Sequence, residues 1–323
     1  MKLATFIAPD GAQHVGAVDA DGRMADLTAT SADPWARDML SLIESGPAGL
    51  DKARAAAAAP RRAFDLKQVR LLAPLPRPVR MRDFLCFELH VRQSRANRYL
   101  FGIGTARLDP ASIEIAPVWY QRPVYYKGNP LSVVGHDAEV HWPSYSRTID
   151  YELEIGLVIG RGGRNVSAAD APGHVFGYTV FNDFSARDEQ YIEMAGQLGP
   201  AKGKDFDTGN SLGPWITTAD EIPDPQNLEM LARINGETWS RGNSRDMRHT
   251  FRDIVAYASV EETLHPGEVL GSGTVGGGCG NELGRFMKHG DVIELEVGGI
   301  GVLRNRIVAP HVMQVPELPL KPA

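Results

Sequence analysis

The sequence predicts an α+β fold that is mostly β, behind a small N-terminal α+β domain. Short apolar runs separated by turn signals dominate the chain after residue 120, a pattern typical of strands. The first seventy or so residues combine strand and helix patterns. Between the two, residues 72–78 contain three prolines, as linkers often do. We therefore predict domains of 1–75 and 76–323.

The N-terminal domain begins with three strand patterns, at Leu3–Ile7, His14–Val18 and Met24–Leu27. Asp-Gly pairs between them predict tight turns. Helical patterns follow at Trp35–Ser45 and in an alanine-rich run that ends at Pro60. No residue in this part has a pattern typical of catalysis, so we predict a packing or dimer-supporting role.

Composition narrows the class of protein. The 323 residues carry a formal net charge of -6, and no basic stripe is present to neutralise phosphates, so a nucleic-acid partner is not expected. The two cysteines, Cys86 and Cys279, are far apart, which argues against a disulfide. The first residues lack a signal-peptide pattern, and no apolar run has membrane-spanning length. A cytoplasmic protein without a membrane partner is expected.

The segment from Ile149 to Gly160 has the first pattern that indicates chemistry. Apolar and acidic residues alternate and then give way to an apolar run, which predicts a strand. Because side chains alternate faces, Glu152 and Glu154 should point the same way, about 6.6 Å apart along the strand. Two such carboxylates repel each other, and a cation between them removes the repulsion. The alternative is that both glutamates lie on a solvated strand face.

Two later segments add to this pattern. A predicted strand at Val175–Phe181 leads to Asp183, and the segment Lys202–Thr208 is dense in charge and glycine. Lysines beside acids usually belong to a solvated loop. Together with the paired glutamates, however, they predict one oxygen-rich site with a third carboxylate and a cation.

These segments resemble the fumarylacetoacetate hydrolase family, in particular its fumarylacetoacetase-like bacterial members. The resemblance extends from about Leu72 to Val308 and rests on three ordered motifs, at 150–156, 182–190 and 202–208. It implies a mixed β-roll or β-sandwich catalytic domain decorated by short helices. Since members are commonly homodimers, it also implies a homodimer.

The resemblance also gives a role to His90, which by itself would more often be a structural residue. Asp83 precedes His90 by seven residues, and in similar members such an aspartate is a metal ligand and the histidine a general base. An unperturbed pKa near 6.5 suits a histidine to accept a proton from water at neutral pH. A glutamate in the glycine-rich segment 271–284, here Glu282, is expected to orient the histidine.

The remaining implied roles fall into two groups. Glu152, Glu154 and Asp183, with Asp83 as fourth ligand, would hold a metal, while Lys204, Arg187 and Gln190 would face the substrate. All four ligands are hard oxygen donors, so Mg²⁺ or Mn²⁺ is expected, with Ca²⁺ as a further candidate and Zn²⁺ disfavoured. Substrate contacts are expected from Tyr126, Arg98 and Thr274.

Several of these segments have other interpretations. The basic run that contains Arg98 could be a solvated helix or an active-site lid, and Tyr99 competes with Arg98 for the substrate carboxylate. The glycine-rich segment could be a backbone bend. It lacks the Gly-Lys-Ser/Thr of a phosphate-binding loop. Gly209–Gly213 matches the G-x-S-x-G pattern of serine hydrolases but lacks the required strand before it and helix after it, so that function is rejected.

The function implied is metal-dependent hydrolysis of a C–C bond in a 1,3-dicarbonyl or acylpyruvate-type acid, with water activated by His90. One alternative is a decarboxylase or keto-enol isomerase of a 2-oxo acid, which needs the same metal. Another is a protein that binds such acids without converting them. The presence of His90, Lys204, Arg187 and Gln190 beside the ligands favours an enzyme, because a simple binder needs no base.

Overall fold

The computed structural model describes residues 1–309; residues 310–323, the end of the predicted catalytic domain, lie outside the described part. The described chain is mostly sheet with short helices. In chain order its strands are β1 (Lys2–Ile7), β2 (Gln13–Val18), β3 (Arg23–Asp26), β4 (Ala63–Asp65), β5 (Arg70–Leu71), β6 (Arg80–Phe84), β7 (Tyr125–Gly128), β8 (Val133–Val134), β9 (Glu139–His141), β10 (Ile149–Asp150), β11 (Leu153–Ile159), β12 (Val175–Asp183), β13 (Ser185–Ala186), β14 (Asn210–Thr218), β15 (Glu229–Ile234), β16 (Glu237–Asn243), β17 (Glu268–Gly271), β18 (Val292–Val297) and β19 (Gly301–Val308). The helices are α1 (Leu27–Thr30), α2 (Met39–Glu44), α3 (Gly46–Ala58), α4 (Glu88–Ala96), α5 (Pro117–Gln121), α6 (Arg187–Met194), α7 (Ala201–Lys204), α8 (Phe251–Ala258) and α9 (Gly280–Leu283).

Most strands belong to two sheets. The larger sheet has twelve strands in the order β4-β3-β2-β1-β14-β12-β11-β17-β6-β7, with β5 beside β1 and β8 beside β14. The smaller sheet has the order β16-β15-β18-β19-β9. Pairing is antiparallel except for β17 with β6, β14 with β8 and β19 with β9. The prediction of an α+β fold that is mostly β is confirmed.

The strand at the centre of the large sheet has two buried faces. On β11, Ile155 and Leu157 pack in one apolar core with Leu295 and Leu303 of the smaller sheet. Val158, which points to the other side, packs in the core that the N-terminal helices cover. A strand buried on both faces is expected to be nearly continuous in apolar residues, as β11 is. The two acidic residues near its beginning are therefore exceptions that need partners.

The N-terminal segment is joined to the rest by its strands and by its core. β1 pairs with β14 through Lys2 opposite Thr217 and Leu3 opposite Ile216. Trp35 of this segment shares an apolar core with Val269 of β17. The boundary near residue 75 thus falls between segments that share a sheet, and the division into domains stays a prediction.

Three strand and helix predictions need correction. The strand predicted from Ile149 to Gly160 is interrupted at Tyr151 and Glu152, because β10 pairs with β13 whereas β11 pairs with β12. Leu27 begins a helix instead of ending a strand, since the Asp26 side chain caps that helix at the Ala29 N–H.

The helix predicted from Trp35 to Ser45 is a short 3₁₀ turn followed by α2, because the Asp38 side chain caps a new helix at the Ser41 N–H. No helix within residues 1–309 combines the length and apolarity needed to cross a membrane.

Candidate active site

A cavity of about 550 Å³ lies where the acidic ends of the central strands meet the helices α4, α6 and α7. Its wall includes ten of the twelve predicted site residues: Asp83, His90, Arg98, Tyr126, Glu152, Glu154, Arg187, Gln190, Lys204 and Thr274. The other two, Asp183 and Glu282, lie directly behind it and contact Lys204 and His90 respectively. The fold therefore brings together all residues that the sequence suggested for the site.

Three of the carboxylates converge on one point. Asp83 on β6, Glu154 on β11 and Asp183 at the end of β12 each offer an oxygen, and these oxygens lie within 4.8 Å of one another. β17 lies between β11 and β6, and its last residue, Gly271, pairs with both Gly156 and Asp83. A Cβ on Gly271 would lie 2.3 Å from Asp83 Oδ1 and 3.1 Å from Glu154 Oε2. Glycine at this position therefore leaves the space in which the carboxylates meet.

This carboxylate cluster fits a hard divalent cation. Asp83 Oδ1 and Asp183 Oδ1 are buried and have no hydrogen-bond partner, although buried polar atoms normally have one. Burial and the neighbouring Asp183 raise the pKa of Asp83 well above its usual range. Burial and Asp83 likewise raise the pKa of Glu154. Buried acids that repel each other in this way are neutralised either by a proton or by a cation that takes oxygen ligands.

Glu152 has different partners from the other three carboxylates. Its Oε2 accepts a hydrogen bond of 2.5 Å from Lys204 Nζ, and its Oε1 lies 2.9 Å from Arg187 Nη2. Burial alone would raise the pKa of Glu152, but Lys204, Arg187 and His90 outweigh it and lower that pKa to about 2. The two cations therefore favour the ionised form of Glu152, and its role as a metal ligand beside Glu154 and Asp183 stays a prediction.

Lys204 connects Glu152 to the carboxylate cluster. Its Nζ also donates to Asp183 Oδ2 at 2.6 Å and to the Asp183 carbonyl oxygen at 3.2 Å. Burial raises the pKa of Asp183 to about 6, even though Lys204 opposes this shift. Burial would lower the pKa of Lys204, but Asp183 and Glu152 raise it above its usual value. The result is a buried ammonium group that can donate to a substrate oxygen.

Asp150 holds Arg187 in place, a role that the sequence did not suggest. Its Oδ2 accepts hydrogen bonds from Arg187 Nε and Nη2, at 3.1 and 2.8 Å. The same carboxylate accepts backbone N–H bonds from Gly280 and Asn281, at 2.7 and 2.9 Å. Arg187 Nη1 in turn donates to Gln190 Oε1 at 2.6 Å. Asp150 is the first residue of the recognised motif at 150–156, so its position in the motif was the available signal.

His90 and Glu282 form a second pair in the cavity. His90 is in the first turns of α4, and its Nδ1 lies 3.2 Å from Glu282 Oε2 on α9, without the alignment of a hydrogen bond. The Glu282 carboxylate is fixed by backbone N–H bonds from Gly277 and Cys279, at 2.9 and 3.0 Å. A carboxylate so held can orient an imidazole and support its positive charge.

The predicted substrate-binding residues take distinct positions. The Tyr126 hydroxyl donates to Asp183 Oδ2 at 2.6 Å, and the Thr274 hydroxyl donates to Glu154 Oε1 at 3.2 Å. Arg98 lines the cavity from a 3₁₀ turn after α4, and Arg95, which the sequence analysis did not select, lines it beside Arg98. The rejected G-x-S-x-G motif lies elsewhere: Ser211 is buried inside β14 and donates to Asn305.

Together, the fold and the site define a class of protein: an enzyme with mixed sheets and a buried acidic centre. Comparison with known proteins agrees with this. The family profile described as "Fumarylacetoacetate (FAA) hydrolase C-terminal" matches residues 81–308. The chain belongs to the fumarylacetoacetate hydrolase family, and the predicted resemblance is confirmed. Family members include hydrolases, isomerases and a tautomerase.

Three similar proteins cover nearly the whole chain. The human mitochondrial oxaloacetate tautomerase FAHD2A is 33% identical over 311 residues, which is 95% of this chain and 92% of that protein. A fumarylacetoacetate hydrolase from Exiguobacterium antarcticum has a TM-score of 0.75 at 27% identity, covering 96% of this chain and 100% of the other. The maleylpyruvate hydrolase of Sphingobium sp. SYK-6, solved with manganese(II) and pyruvate, has a TM-score of 0.74 at 26% identity, with the same coverage.

Proposed function

We propose that this protein is a divalent-metal-dependent hydrolase that cleaves a C–C bond in an acylpyruvate-type or other 1,3-dicarbonyl acid. The observation that carries the proposal is the position of the His90–Glu282 pair in the same cavity as the carboxylate cluster. Cleavage between two carbonyl groups needs an activated water on one side and stabilisation of negative charge on the other. This site offers groups for both tasks.

Asp83, Glu154 and Asp183 would hold the ion, together with Glu152, which the sequence predicts as a ligand beside Glu154 and Asp183. When bound, a divalent ion supplies positive charge that stabilises the oxo acid as it leaves. Their oxygen-only ligand set favours Mg²⁺ or Mn²⁺, with Ca²⁺ as a further candidate. The manganese in the similar maleylpyruvate hydrolase supports Mn²⁺.

His90 would accept the proton of the attacking water, while Glu282 holds the imidazole and supports its charge. Lys204, Arg187 and Gln190 would donate to the oxyanion and to the substrate carboxylate. Arg98, Tyr126 and Thr274 would contact the rest of the substrate. We also propose a homodimer, which light scattering on the purified protein would test.

Keto-enol tautomerisation of a 2-oxo acid is the second candidate, and the 33% identity to an oxaloacetate tautomerase supports it. Decarboxylation belongs to the same alternative. Both reactions need the metal and the oxo-acid site, but neither needs an attacking water. A protein that only binds oxo acids is the third candidate.

A panel of acylpyruvates, fumarylacetoacetate and oxaloacetate, assayed with Mg²⁺ or Mn²⁺, separates these functions. In a hydrolase, His90→Ala should lower kcat about 10²- to 10⁴-fold and leave metal affinity nearly unchanged. His249→Ala is a matched control, since His249 is equally buried but bonds the Trp119 carbonyl outside the cavity. Hydrolysis at the wild-type rate by His90→Ala would exclude water activation by His90. Tautomerisation or decarboxylation without any hydrolysis would put the second candidate first, and no turnover with tight oxo-acid binding would favour the third.

A further inference from the structure

A second set of metal-ligand atoms lies beside the carboxylate cluster. His90, Cys279 and Glu282 each offer one ligand atom, and these atoms lie within 4.8 Å of one another. All three residues are buried, with exposures of 7%, 0% and 3%. Cys279 precedes α9 and Glu282 lies within it, and the bond from the Cys279 N–H to Glu282 Oε2 fixes their relative positions. This thiol-containing set differs chemically from the oxygen-only cluster.

An unsatisfied atom points to a ligand at this set. His90 Nδ1 is buried and makes no hydrogen bond, although Glu282 Oε2 is 3.2 Å away. Buried polar atoms normally have a hydrogen-bond partner, and a metal ion would provide a partner for this nitrogen. The three residues offer nitrogen, sulfur and oxygen, which is a ligand set typical of Zn²⁺, whereas Mg²⁺ and Ca²⁺ prefer oxygen alone.

We propose that His90, Cys279 and Glu282 form a second metal site that binds Zn²⁺ or another thiophilic divalent ion. Bond lengths of about 2.0–2.3 Å place the ligand atoms of a tetrahedral site roughly 3.5 Å apart. Side-chain rotations that move the three ligand atoms by about 1 Å would bring them to this separation. The Cys279 thiol gives its proton to the buffer when the ion binds. Three protein ligands leave a fourth position for water, and the ion enters through the cavity that His90 lines.

Occupation of this site has a consequence for catalysis. An ion bonded to His90 and Glu282 takes the imidazole away from its base role, so Zn²⁺ inhibits the enzyme while Mg²⁺ stays on the carboxylate cluster. This consequence rests on the proposed role of His90 as the base. Binding of Zn²⁺ at the second site does not depend on that role.

Co²⁺ spectroscopy tests the site directly. The full chain is first saturated with Mg²⁺, and Co²⁺ is then titrated in place of Zn²⁺. We expect a near-ultraviolet thiolate-to-Co²⁺ charge-transfer band that saturates at one equivalent and disappears when Zn²⁺ is added. Absence of the band in the wild-type protein overturns the proposal, whatever the behaviour of any variant.

Variants identify the thiolate. Cys279→Ser should remove the band and weaken Zn²⁺ binding by at least about 100-fold, since loss of an outer-shell partner alone costs about 10- to 100-fold. Cys86→Ser is the matched control, because Cys86 is the other buried cysteine and belongs to neither ligand set among the described residues. A band that survives in Cys279→Ser overturns the assignment.

Inhibition kinetics then separate the site from the proposed function. With saturating Mg²⁺, the Zn²⁺ concentration that halves the rate should rise by at least about 100-fold in Cys279→Ser, in proportion to the loss of affinity. Inhibition that is equal in both proteins means that Zn²⁺ inhibits at the carboxylate cluster, which overturns the proposed inhibition through His90. A Cys279-dependent Co²⁺ band without Zn²⁺ inhibition supports the metal site and refutes the role of His90 as the base.

Discussion

Substitution of Gly271 by alanine should disrupt the carboxylate cluster and leave the sheet folded. The new Cβ would lie 2.3 Å from Asp83 Oδ1 and 2.9 Å from Phe181 Cε1. An ordinary contact begins at about 3.4 Å, which would require the Asp83 oxygen to move by roughly 1.1 Å. Metal–ligand distances hold to within about 0.2 Å, so this displacement removes Asp83 as a ligand. We expect metal affinity to fall by at least about 100-fold, the upper end of the loss caused by removing an outer-shell partner.

Gly156→Ala is the control for Gly271→Ala. Gly156 pairs with Gly271 across β11 and β17, but its Cβ would meet only apolar atoms, at 3.2 Å from Thr179 and 3.4 Å from Val269. Both variants should lose about 1–3 kcal/mol of unfolding free energy from overpacking. Isothermal titration with Mn²⁺ should show weak binding only in Gly271→Ala. Wild-type Mn²⁺ affinity in Gly271→Ala would refute the convergence of Asp83 and Glu154 on one ion.

Three other predictions follow from the same contacts. Asp183→Ala should lose metal and activity together, which metal analysis and assay of one sample would show; retained metal would exclude Asp183 as a ligand. Lys204→Met should lower kcat about 10²- to 10³-fold without weakening Mn²⁺ binding, since it removes a cation near the site; an unchanged kcat would exclude Lys204 as a donor. In EDTA, which removes the metal, the folded state keeps a proton that the unfolded state loses, because the pKa of Asp183 is raised from 3.8 to about 6. Urea unfolding should therefore show a free energy of unfolding that falls as the pH rises from about 4 to 6. With saturating Mn²⁺ it should rise over the same range. A metal-free free energy that does not change with pH would contradict this.

Local patterns were enough to predict much of the fold and the place of the site. Alternation in the segment from Ile149 to Gly160 predicted that Glu152 and Glu154 share a face, and both line the cavity. The family and the mostly β fold, predicted from the ordered motifs, are confirmed. The interruption at Tyr151 and Glu152 could not be predicted, because it depends on which distant strand each half pairs with. The roles of the individual site residues stay predictions.

The residues that sequence analysis missed contact partners that are far away along the chain. Gly271 is one of many glycines in its segment, and only the pairing of β17 with both β11 and β6 shows that a side chain there would strike Asp83. Asp150 bonds Arg187, 37 residues away, and Asn281, 131 residues away. Cys279 matched no metal spacing along the chain, because its partner His90 comes from another element. Contacts of this range are set by topology and leave no local pattern.

The charge balance of the site explains why these contacts belong together. Six buried carboxylates line or adjoin the cavity: Asp83, Asp150, Glu152, Glu154, Asp183 and Glu282. Two buried cations, Arg187 and Lys204, face them, so four negative charges are in excess when all six carboxylates are ionised. The two cations are shared by Asp150, Glu152 and Asp183, which leaves one excess charge among these three. The other three belong to Asp83 and Glu154 within the cluster and to Glu282 beside His90. Buried charges persist only when they are paired, protonated or bound to metal. Three of the four excess charges therefore lie at the two places where metal binding is proposed.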